Sequence, residues 1–286
     1  MRLVRTVAGL RTEVKAARGS GAQIALVPTM GAFHDGHLSL MRRAREVAGF
    51  VVVSLFVNPT QFNDAADLQK YPRNEALDAE MARDAGVDLI FAPKVDEVYP
   101  TGFATTVEVG RLSEPLEGVS RGPQHFRGVA TVVTKLLNMA QPDVALFGQK
   151  DAQQALVIRR LVRDLDLPVR IEICPTVREA DGLAMSSRNV RLDADARRRA
   201  PALARALHAI EARVAAGERD ATAALAVASP ILEEAGIAPE YLAAVSAETL
   251  QPVSTMESET LIAIAAMVGG VRLIDNVLIP PAHRKR

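Results

Sequence analysis

The first two-thirds of the chain alternate short apolar runs with segments whose apolar residues recur at helical spacing. The run at residues 51–57 is almost wholly apolar, as expected for a strand buried on both faces. Strands are predicted at 24–27, 51–56, 89–91, 144–147 and 169–173, with a further extended segment at 105–109. Helices are predicted at 38–48, 75–85, 129–139 and 152–165. Strands and helices that alternate in this way predict an α/β fold with a parallel sheet covered by helices.

The pattern changes near residues 187–193. Long Ala- and Arg-rich helices are predicted next, at 194–216 and 221–235, and each ends near a glycine, a typical stop signal. Short strands are then predicted at 241–245, 260–266 and 272–278. We therefore expect a smaller C-terminal α+β domain, and we divide the chain into residues 1–180 and 181–286.

Composition narrows the class of protein. Apolar residues make up 49% of the 286 residues and charged residues 24%, as in globular proteins. The 34 basic residues balance 34 acidic ones, so there is no overall positive field for nucleic acid or anionic lipid. No apolar run is long enough for a membrane span, and no signal peptide is recognised at the N-terminus. We expect a cytoplasmic protein whose single cysteine, Cys174, is a buried and inert thiol.

The most informative stretch is Pro28-Thr29-Met30-Gly31 followed by His34-Asp35-Gly36-His37, between a strand and a helix. A glycine turn that leads into a helix gathers unpaired N–H groups at a positive dipole end, which suits phosphate. Two histidines three residues apart face the same side of a helix. Phosphate contact is the favoured interpretation. A metal site, which needs further ligands, and plain surface placement stay open.

Two further motifs follow predicted strands. Gln61, in Asn58-Pro59-Thr60-Gln61-Phe62, has the donor and acceptor that suit a small polar substrate, although the motif also fits a simple loop cap. Lys150, in Phe147-Gly148-Gln149-Lys150-Asp151, would place an ammonium group near phosphate oxygens. Asp151 suits a helix cap, a metal ligand or a ribose contact.

Two polar loops complete the candidate chemistry. Residues 181–189 contain two serines and an arginine, which fit a mobile lid over phosphates, with an inter-domain linker as the alternative. Residues 117–128 are predicted as a glycine-rich basic loop, either a flap over substrate or a surface crossover. The arginines at 197–199 are expected on a solvated helix face, with a nucleic-acid contact as the open alternative.

Taken in order, these motifs resemble the pantothenate synthetase (pantoate–β-alanine ligase) family. The two motifs around Gly31 and Gln61 carry the resemblance, together with Tyr71-Pro72-Arg73, His125-Phe126-Arg127-Gly128-Val129, Phe147 to Asp151 with Gln153-Gln154, Met185-Ser186-Ser187-Arg188-Asn189 and Arg272-Leu273-Ile274-Asp275-Asn276. Their order covers almost the whole chain. The chain departs from the family at Gln149, where many members carry glutamate, and at Ala152, where an aromatic residue is frequent.

The resemblance implies a Rossmann-like nucleotidyltransferase fold with a smaller C-terminal domain, a homodimer, and ATP with Mg²⁺. It also implies a reaction in two steps that leads towards coenzyme A. Pantoate attacks the α-phosphate of ATP to give pantoyl-adenylate and diphosphate, and β-alanine then displaces AMP to give pantothenate. No nucleic acid or membrane partner is implied.

The resemblance also implies roles for individual residues. His34, His37 and Lys150 are the catalytic candidates, with His37 as the acid. Gln61 and Gln154 would hold pantoate, with Gln61 also near β-alanine. The implied ATP-binding residues are Met30, Gly31, His34, His37, Gly148, Gln149, Lys150, Asp151, Val177, Met185, Ser186, Ser187 and Arg188. No protein ligand to the metal is assigned.

Two other functions stay open from the residues alone. The histidine motif also suits an adenylyltransferase that ends at a dinucleotide product, although the glutamines and residues 185–189 favour a carboxylate acceptor. A non-catalytic nucleotide sensor or an RNA-binding relative of the synthetases is the second alternative. The zero net charge and the absence of tryptophan argue against RNA.

Overall fold

The structure is a computed structural model that describes residues 1–62, 68–69 and 71–282. The strands are β1 (Arg2–Val4), β2 (Ile24–Thr29), β3 (Phe50–Leu55), β4 (Leu89–Phe91), β5 (Val144–Gly148), β6 (Arg170–Cys174), β7 (Pro239–Ser246), β8 (Thr260–Val268) and β9 (Val271–Ile279). The α-helices are α1 (Val7–Gly19), α2 (Asp35–Val47), α3 (Glu75–Asp84), α4 (Val95–Val98), α5 (Glu117–Arg121), α6 (Pro123–Ala140), α7 (Ala152–Asp164), α8 (Ala194–Arg199), α9 (Ala202–Ala215), α10 (Ala221–Ala226) and α11 (Ser229–Glu234). Short 3₁₀ turns lie at Pro59–Gln61, Gln149–Asp151 and Asn189–Arg191.

Strands β1 to β6 form one parallel sheet, in the order β1-β4-β3-β2-β5-β6 within the described part of the chain. β2 pairs with β3 on one side, where Val27 lies opposite Val53, and with β5 on the other, where Ala25 lies opposite Val144. Chain order therefore reverses between β2 and β5. Open α/β sheets bind ligands beyond the carboxyl ends of their strands at such a point. The predicted parallel α/β sheet is confirmed.

The centre of this sheet is buried on both faces. Val51, Val52 and Val53 of β3 have no exposed surface. Val51 and Val53 pack in one core cluster with Met41 and Ala44 of α2. Because β-branched residues fit a pleated and buried surface, the apolar run at 51–57 specifies a central strand.

Strands β7, β8 and β9 form an antiparallel sheet in that order. Ala263 of β8 lies opposite Ala243 of β7 and Asn276 of β9. Ile262 and Ile264 of β8 pack in one core cluster with residues of α9. The predicted smaller α+β part, with its three strands, is confirmed.

Prolines divide the two helices predicted at 194–216 and 221–235. Pro201 separates α8 from α9, and Pro230 lies in the first turn of α11. A proline inside a helix removes an N–H donor and clashes with the carbonyl four residues earlier, whereas the first turn tolerates it. The prediction of two continuous helices is therefore wrong.

The loop predicted at residues 117–128 also needs correction. These residues form α5 and the start of α6; Gly122, at φ +74°, separates the two helices, and Pro123 begins the second. Residues 105–109 belong to no strand of the two sheets, and their extended form stays a prediction. β1, which was not predicted, pairs with β4 at the sheet edge. With three residues, β1 is too short to show a period.

The chain divides into two compact units. The first comprises Met1–Gly148 and Val157–Pro175, and the second comprises Gln149–Leu156 and Thr176–Arg286. The division into domains at residues 1–180 and 181–286 stays a prediction.

Candidate active site

A buried carboxylate binds the backbone of the turn that follows β2. Asp78 on α3 is 2% exposed, and its two oxygens accept the N–H groups of Ala32 at 3.0 Å and Phe33 at 2.8 Å. Gly31 has φ +84°, and a Cβ there would lie 2.9 Å from Asp78 Oδ2. Glycine therefore lets the carboxylate approach the turn this closely.

His34 and His37 open α2 as a reciprocal cap. Nδ1 of His34, the N-cap residue, accepts the N–H of Gly36 at 3.2 Å, and Nδ1 of His37 accepts the N–H of His34 at 3.4 Å. The two ring centroids are 4.1 Å apart. The rings therefore contact each other at a helix N-terminus, where the helix dipole favours an anion.

These hydrogen bonds determine which ring nitrogen carries the proton in His34 and His37. A nitrogen that accepts an N–H bond carries no hydrogen, so each ring carries its hydrogen at Nε2. Each imidazole therefore presents an Nε2–H donor, a group that a phosphate oxygen accepts.

Asn58 orients Gln61 at the end of β3. Asn58 is 1% exposed, and its Nδ2 donates to Gln61 Oε1 at 3.1 Å and to the carbonyl of Gly128 at 3.2 Å. Its Oδ1 accepts the hydroxyls of Thr60 and Tyr99, each at 2.9 Å. Burial raises the pKa of Tyr99, against a smaller opposite effect from its contact with Thr60, which keeps this hydroxyl protonated as a donor.

Gln61 contacts Met30, which the family resemblance places among the ATP-binding residues. Gln61 Nε2 donates to Met30 Sδ at 3.1 Å, and Nδ1 of His125 lies 2.9 Å from the Gln61 carbonyl oxygen. A Cβ at Gly128 would lie 2.5 Å from the carbonyl oxygen of Thr60. Glycine at this position of α6 therefore allows the helix backbone to pack directly on the turn.

In the second unit, Asn276 of β9 holds the turn that carries Lys150. Its Nδ2 donates to the carbonyls of Gln149 at 2.9 Å and Lys150 at 3.0 Å, and its Oδ1 accepts from Gln149 Nε2 at 3.4 Å. Lys150 Nζ lies 3.6 Å from a carboxylate oxygen of Asp151. The turn thus brings an ammonium group and a carboxylate together at the start of α7.

Arg178 ties the start of the predicted lid to the same strand. It donates to both carboxylate oxygens of Asp275, at 2.6 and 3.1 Å, and to the carbonyl of Gly182 at 3.1 Å. The carbonyl of Val177 accepts the N–H of Met185 at 3.0 Å. Residues 177–185 therefore form a closed segment anchored on β9.

The rest of this loop has its own hydrogen bonds. Ser186 Oγ accepts the N–H of Arg188 at 3.2 Å. Asn189 Nδ2 donates to Glu179 at 2.6 Å and to the carbonyl of Ala184 at 3.1 Å. That the loop moves as a lid stays a prediction.

Arg197 departs from the solvated helix face expected for residues 197–199. It contacts Glu179 at 2.6 Å and also Asp181, so it anchors the loop to α8. The hydrogen bond from Arg197 lowers the pKa of Asp181, against a smaller opposite effect of burial. Arg198 and Arg199 pair with Asp195 on their own helix.

The candidate residues are divided between the two units. The first unit contains Met30, Gly31, His34, His37, Gln61 and Gly148, and the second contains Gln149, Lys150, Asp151, Gln154, Val177, Met185, Ser186, Ser187 and Arg188. The sequence did not assign roles to Asn58, Asp78, Arg178 and Asn276, which hold these residues. Two signals in the sequence could have indicated some of them. Asp78 shares the buried face of α3 with Ala82, and Asp275 and Asn276 form a polar pair inside β9.

Cys174 at the end of β6 is buried, as predicted. Burial, and then the nearby Glu172 carboxylate, raise the pKa of Cys174 to about 11. The reactive thiolate is therefore a minor form at neutral pH, which agrees with an inert thiol.

Among the residues that the structure describes, no group of three or more His, Cys, Asp and Glu side chains is placed to hold a metal ion. None of the described helices combines the length and apolar character that a membrane crossing requires.

Comparison with known proteins gives a consistent result. The profile of the family pantoate-beta-alanine ligase matches residues 2–278. The chain is 52% identical over 275 residues to a pantothenate synthetase of Cereibacter sphaeroides (96% of this chain, 98% of the relative) and 52% identical over 283 residues to that of Moorella thermoacetica (98% and 99%).

Solved structures agree. A pantothenate synthetase from Thermus thermophilus superposes with a TM-score of 0.92 at 46% identity, over 98% of this chain and 100% of that one. A pantoate-beta-alanine ligase from Francisella tularensis, complexed with beta-gamma ATP and beta-alanine, gives 0.77 at 33% identity, over 97% of each chain. The chain therefore belongs to the pantoate–β-alanine ligase family.

Proposed function

We propose that this pantoate–β-alanine ligase joins its substrates in two steps, of which the first consumes ATP. The pantoate carboxylate attacks the α-phosphorus of ATP, which forms pantoyl-adenylate and releases diphosphate. The amine of β-alanine then attacks the acyl carbon of this mixed anhydride, which forms the amide of pantothenate and releases AMP. Family membership and the Francisella tularensis complex with beta-gamma ATP and beta-alanine support this course.

The histidine pair is assigned to the triphosphate. Negative charge spreads over the phosphate oxygens in the transition state, and fixed donors stabilise it without reorganisation. The Nε2–H groups of His34 and His37 are such donors, because backbone N–H groups already occupy both Nδ1 atoms. His37 is assigned as the acid that assists departure of diphosphate.

The second unit is assigned further nucleotide contacts. Lys150, Ser186, Ser187 and Arg188 hold phosphates, which suits one ammonium, two hydroxyls and one guanidinium. Residues assigned to ribose, adenine or closure over the nucleotide are Met30, Gly31, Gly148, Gln149, Asp151, Val177 and Met185. Support for this assignment comes from Asn276 and Arg178, which fix the two segments concerned.

Gln61 and Gln154 are assigned to pantoate, with Gln61 also beside β-alanine. The amide of Gln61 keeps one orientation, since Asn58 donates to its oxygen and its nitrogen donates to Met30. A fixed amide distinguishes a substrate hydroxyl from a carboxylate by which of its two ends it presents. Closure around these groups would protect the adenylate from water.

Mg²⁺ belongs to the same proposal. It would offset triphosphate charge, and the residues present fit an ion held mainly by phosphate oxygens and water, with Asp151 as a candidate ligand.

The proposal also covers the domain roles, the dimer and the cell compartment. Residues 1–180 would bind nucleotide and pantoate, and residues 181–286 would form the lid. The family resemblance supports a cytoplasmic homodimer. Light scattering should give twice the chain mass of 30.7 kDa.

The capped histidine pair carries this proposal, and product analysis tests it. With ATP, pantoate and β-alanine present, AMP should form, and omission of any one should abolish AMP turnover. Repeated turnover without β-alanine that accumulates a released adenylated product, and no AMP, would instead indicate an adenylyltransferase. ATP binding without turnover would indicate a nucleotide sensor.

His37→Ala tests the assigned residue directly. Loss of one charge-stabilising donor should slow single-turnover diphosphate release by about 10²–10³-fold while the protein stays folded. His208→Ala, at an exposed position of α9, is the matched control and should change nothing. An unchanged rate in His37→Ala would refute the role.

A further inference from the structure

Two adjacent polar residues, Asp275 and Asn276, are buried in β9. Neighbours on a strand face opposite sides, so Asp275 shares the core face with Leu273 and Val277 while Asn276 faces the other way. Both are nearly fully buried, at 3% and 4% exposure. Asp and Asn are depleted in strands, and burial of a polar group without a partner is unfavourable. Their partners therefore explain their presence.

The partners of Asn276 belong to the lysine turn. An amide nitrogen has two hydrogens, and the two carbonyls of Gln149 and Lys150 accept from it. The side chain of Gln149 donates back to the Asn276 oxygen. Bonds to two successive carbonyls fix the backbone dihedrals of the turn and hence the direction in which the Lys150 side chain leaves it.

The partners of Asp275 belong to the lid segment. Its carboxylate accepts a two-bond contact from Arg178 and also the N–H of Asn276 at 2.8 Å. Arg178 in turn donates to Gly182. Neighbouring residues of one strand therefore hold both segments that are assigned to phosphate in the second unit.

We propose that Asn276 is a positioning residue for adenylate formation that acts through Lys150. This inference rests on the assignment of Lys150 to the triphosphate. A displacement of about 1 Å at a reacting group costs up to about 10²-fold in rate. Loss of the Asn276 amide therefore lowers the rate of pantoyl-adenylate formation and spares the attack of β-alanine, in which no diphosphate leaves.

A double-mutant cycle tests the coupling. Single-turnover diphosphate release with ATP and pantoate is measured for Lys150→Ala, Asn276→Ala and the double variant. Asn276→Ala should be about 10- to 100-fold slower than the wild type. The double variant should be no slower than Lys150→Ala, because Asn276 has no lysine left to position. Losses that multiply in the double variant would overturn the proposal.

The second half-reaction separates positioning from general damage. With pantoyl-adenylate supplied, Asn276→Ala should consume β-alanine at the wild-type rate, whereas loss of folded protein would lower both half-reactions equally and contradict the proposal. Asn138→Ala is the matched control, because Asn138 is exposed on α6 and donates to the Thr134 carbonyl at 2.9 Å. It should leave both half-reactions unchanged.

A milder variant covers the case in which Asn276→Ala does not fold. Asn276→Ser keeps one hydroxyl donor in place of the amide, and it should give a smaller loss that likewise disappears in the Lys150→Ala background. A loss that persists there would overturn the proposal.

Lys150→Ala separates a failure of the assigned role of Lys150 from a failure of the inference about Asn276. If Lys150→Ala releases diphosphate at the wild-type rate, the assignment of Lys150 fails and this inference fails with it. If Lys150→Ala is slow while Asn276→Ala matches the wild type, the inference alone fails.

Discussion

The histidine turn of the first unit and the lysine turn of the second are built alike but held by opposite chemistry. Each follows a strand of the parallel sheet and leads towards a helix. A carboxylate, Asp78, accepts two backbone N–H groups behind the histidines, whereas an amide, Asn276, donates to two backbone carbonyls behind Lys150.

The difference follows from the backbone groups that each turn presents. Ala32 and Phe33 present two N–H groups, which the two oxygens of the Asp78 carboxylate accept. Gln149 and Lys150 present two carbonyls, and the amide nitrogen of Asn276 supplies a hydrogen to each. The chemistry of the support therefore matches the backbone groups that it holds.

Replacement of Asn276, which supports the lysine turn, by aspartate should have the largest effect on the free energy of unfolding. In Asn276→Asp, a buried carboxylate faces two carbonyl oxygens, and a buried charge left uncompensated costs about 3–5 kcal/mol. Burial raises the pKa of the new carboxyl in the folded state, so the penalty grows as pH rises from about 4 through that pKa. Urea unfolding at pH 5 and pH 8 measures it.

The protonated acid can donate one bond to a carbonyl, so the loss of stability in Asn276→Asp should be smaller at pH 5. Asn138→Asp, at an exposed position of α6, is the control. A loss that is equal at both pH values would contradict the argument.

The reverse exchange at the histidine turn should cost less. In Asp78→Asn, one oxygen still accepts an N–H, but the amide nitrogen meets a second donor, which should lower the free energy of unfolding by about 1–3 kcal/mol. Diphosphate release should slow as well, because the histidines follow this turn. Asp84→Asn, exposed on the same helix, is the control, and an equal effect in both variants would break the comparison.

Gln61→Ala should produce a specific loss in substrate use. Removal of one hydrogen-bonding group, worth about 1.4 kcal/mol, should raise the KM for pantoate about tenfold and leave the KM for ATP within about twofold. Steady-state kinetics with each substrate varied measures the split. Gln251→Ala, at an exposed position, is the control, and equal losses for both substrates would exclude a pantoate-specific role.

The smallest effect is expected at the ion pair that anchors the lid segment. Arg197 holds the pKa of Asp181 below its ordinary value, so the pair adds stability above about pH 4, which is lost as pH falls through the folded pKa. Both side chains are partly exposed, so the contribution is less than about 1 kcal/mol. The urea midpoints of the wild type and Arg197→Gln should differ at pH 7 and converge near pH 3. Arg198→Gln is the control, and a constant difference would contradict the assignment.

Sequence periodicity predicted the parts of the fold in which burial dominates. The central valines of β3 and the three C-terminal strands are such cases, because their apolar patterns report the core directly. Pro201 and Pro230 both lie inside the predicted helices, but the helical spacing of the Ala-rich segments was given more weight than the helix-breaking effect of proline. β1 takes its place by pairing with β4, a contact that no local pattern contains.

The same distinction applies to the candidate site. The histidines, Gln61 and Lys150 lie on compact motifs that directly follow strands, so local order sufficed to find them. Asp78 acts on residues 45 and 46 positions away, and Asn276 on residues 126 and 127 positions away. Such partners become visible only when the chain is folded.

Gly128 has a consequence for redesign. Because Gly128 has no side chain, the backbone of α6 packs directly on the turn that carries Gln61, and a single added carbon would lie 2.5 Å from the Thr60 carbonyl. This contact sets the position of the backbone at residue 61, whichever side chain stands there. Engineering this ligase for a bulkier hydroxy acid should therefore start with the placement of α6, because exchanges at position 61 leave the contact unchanged.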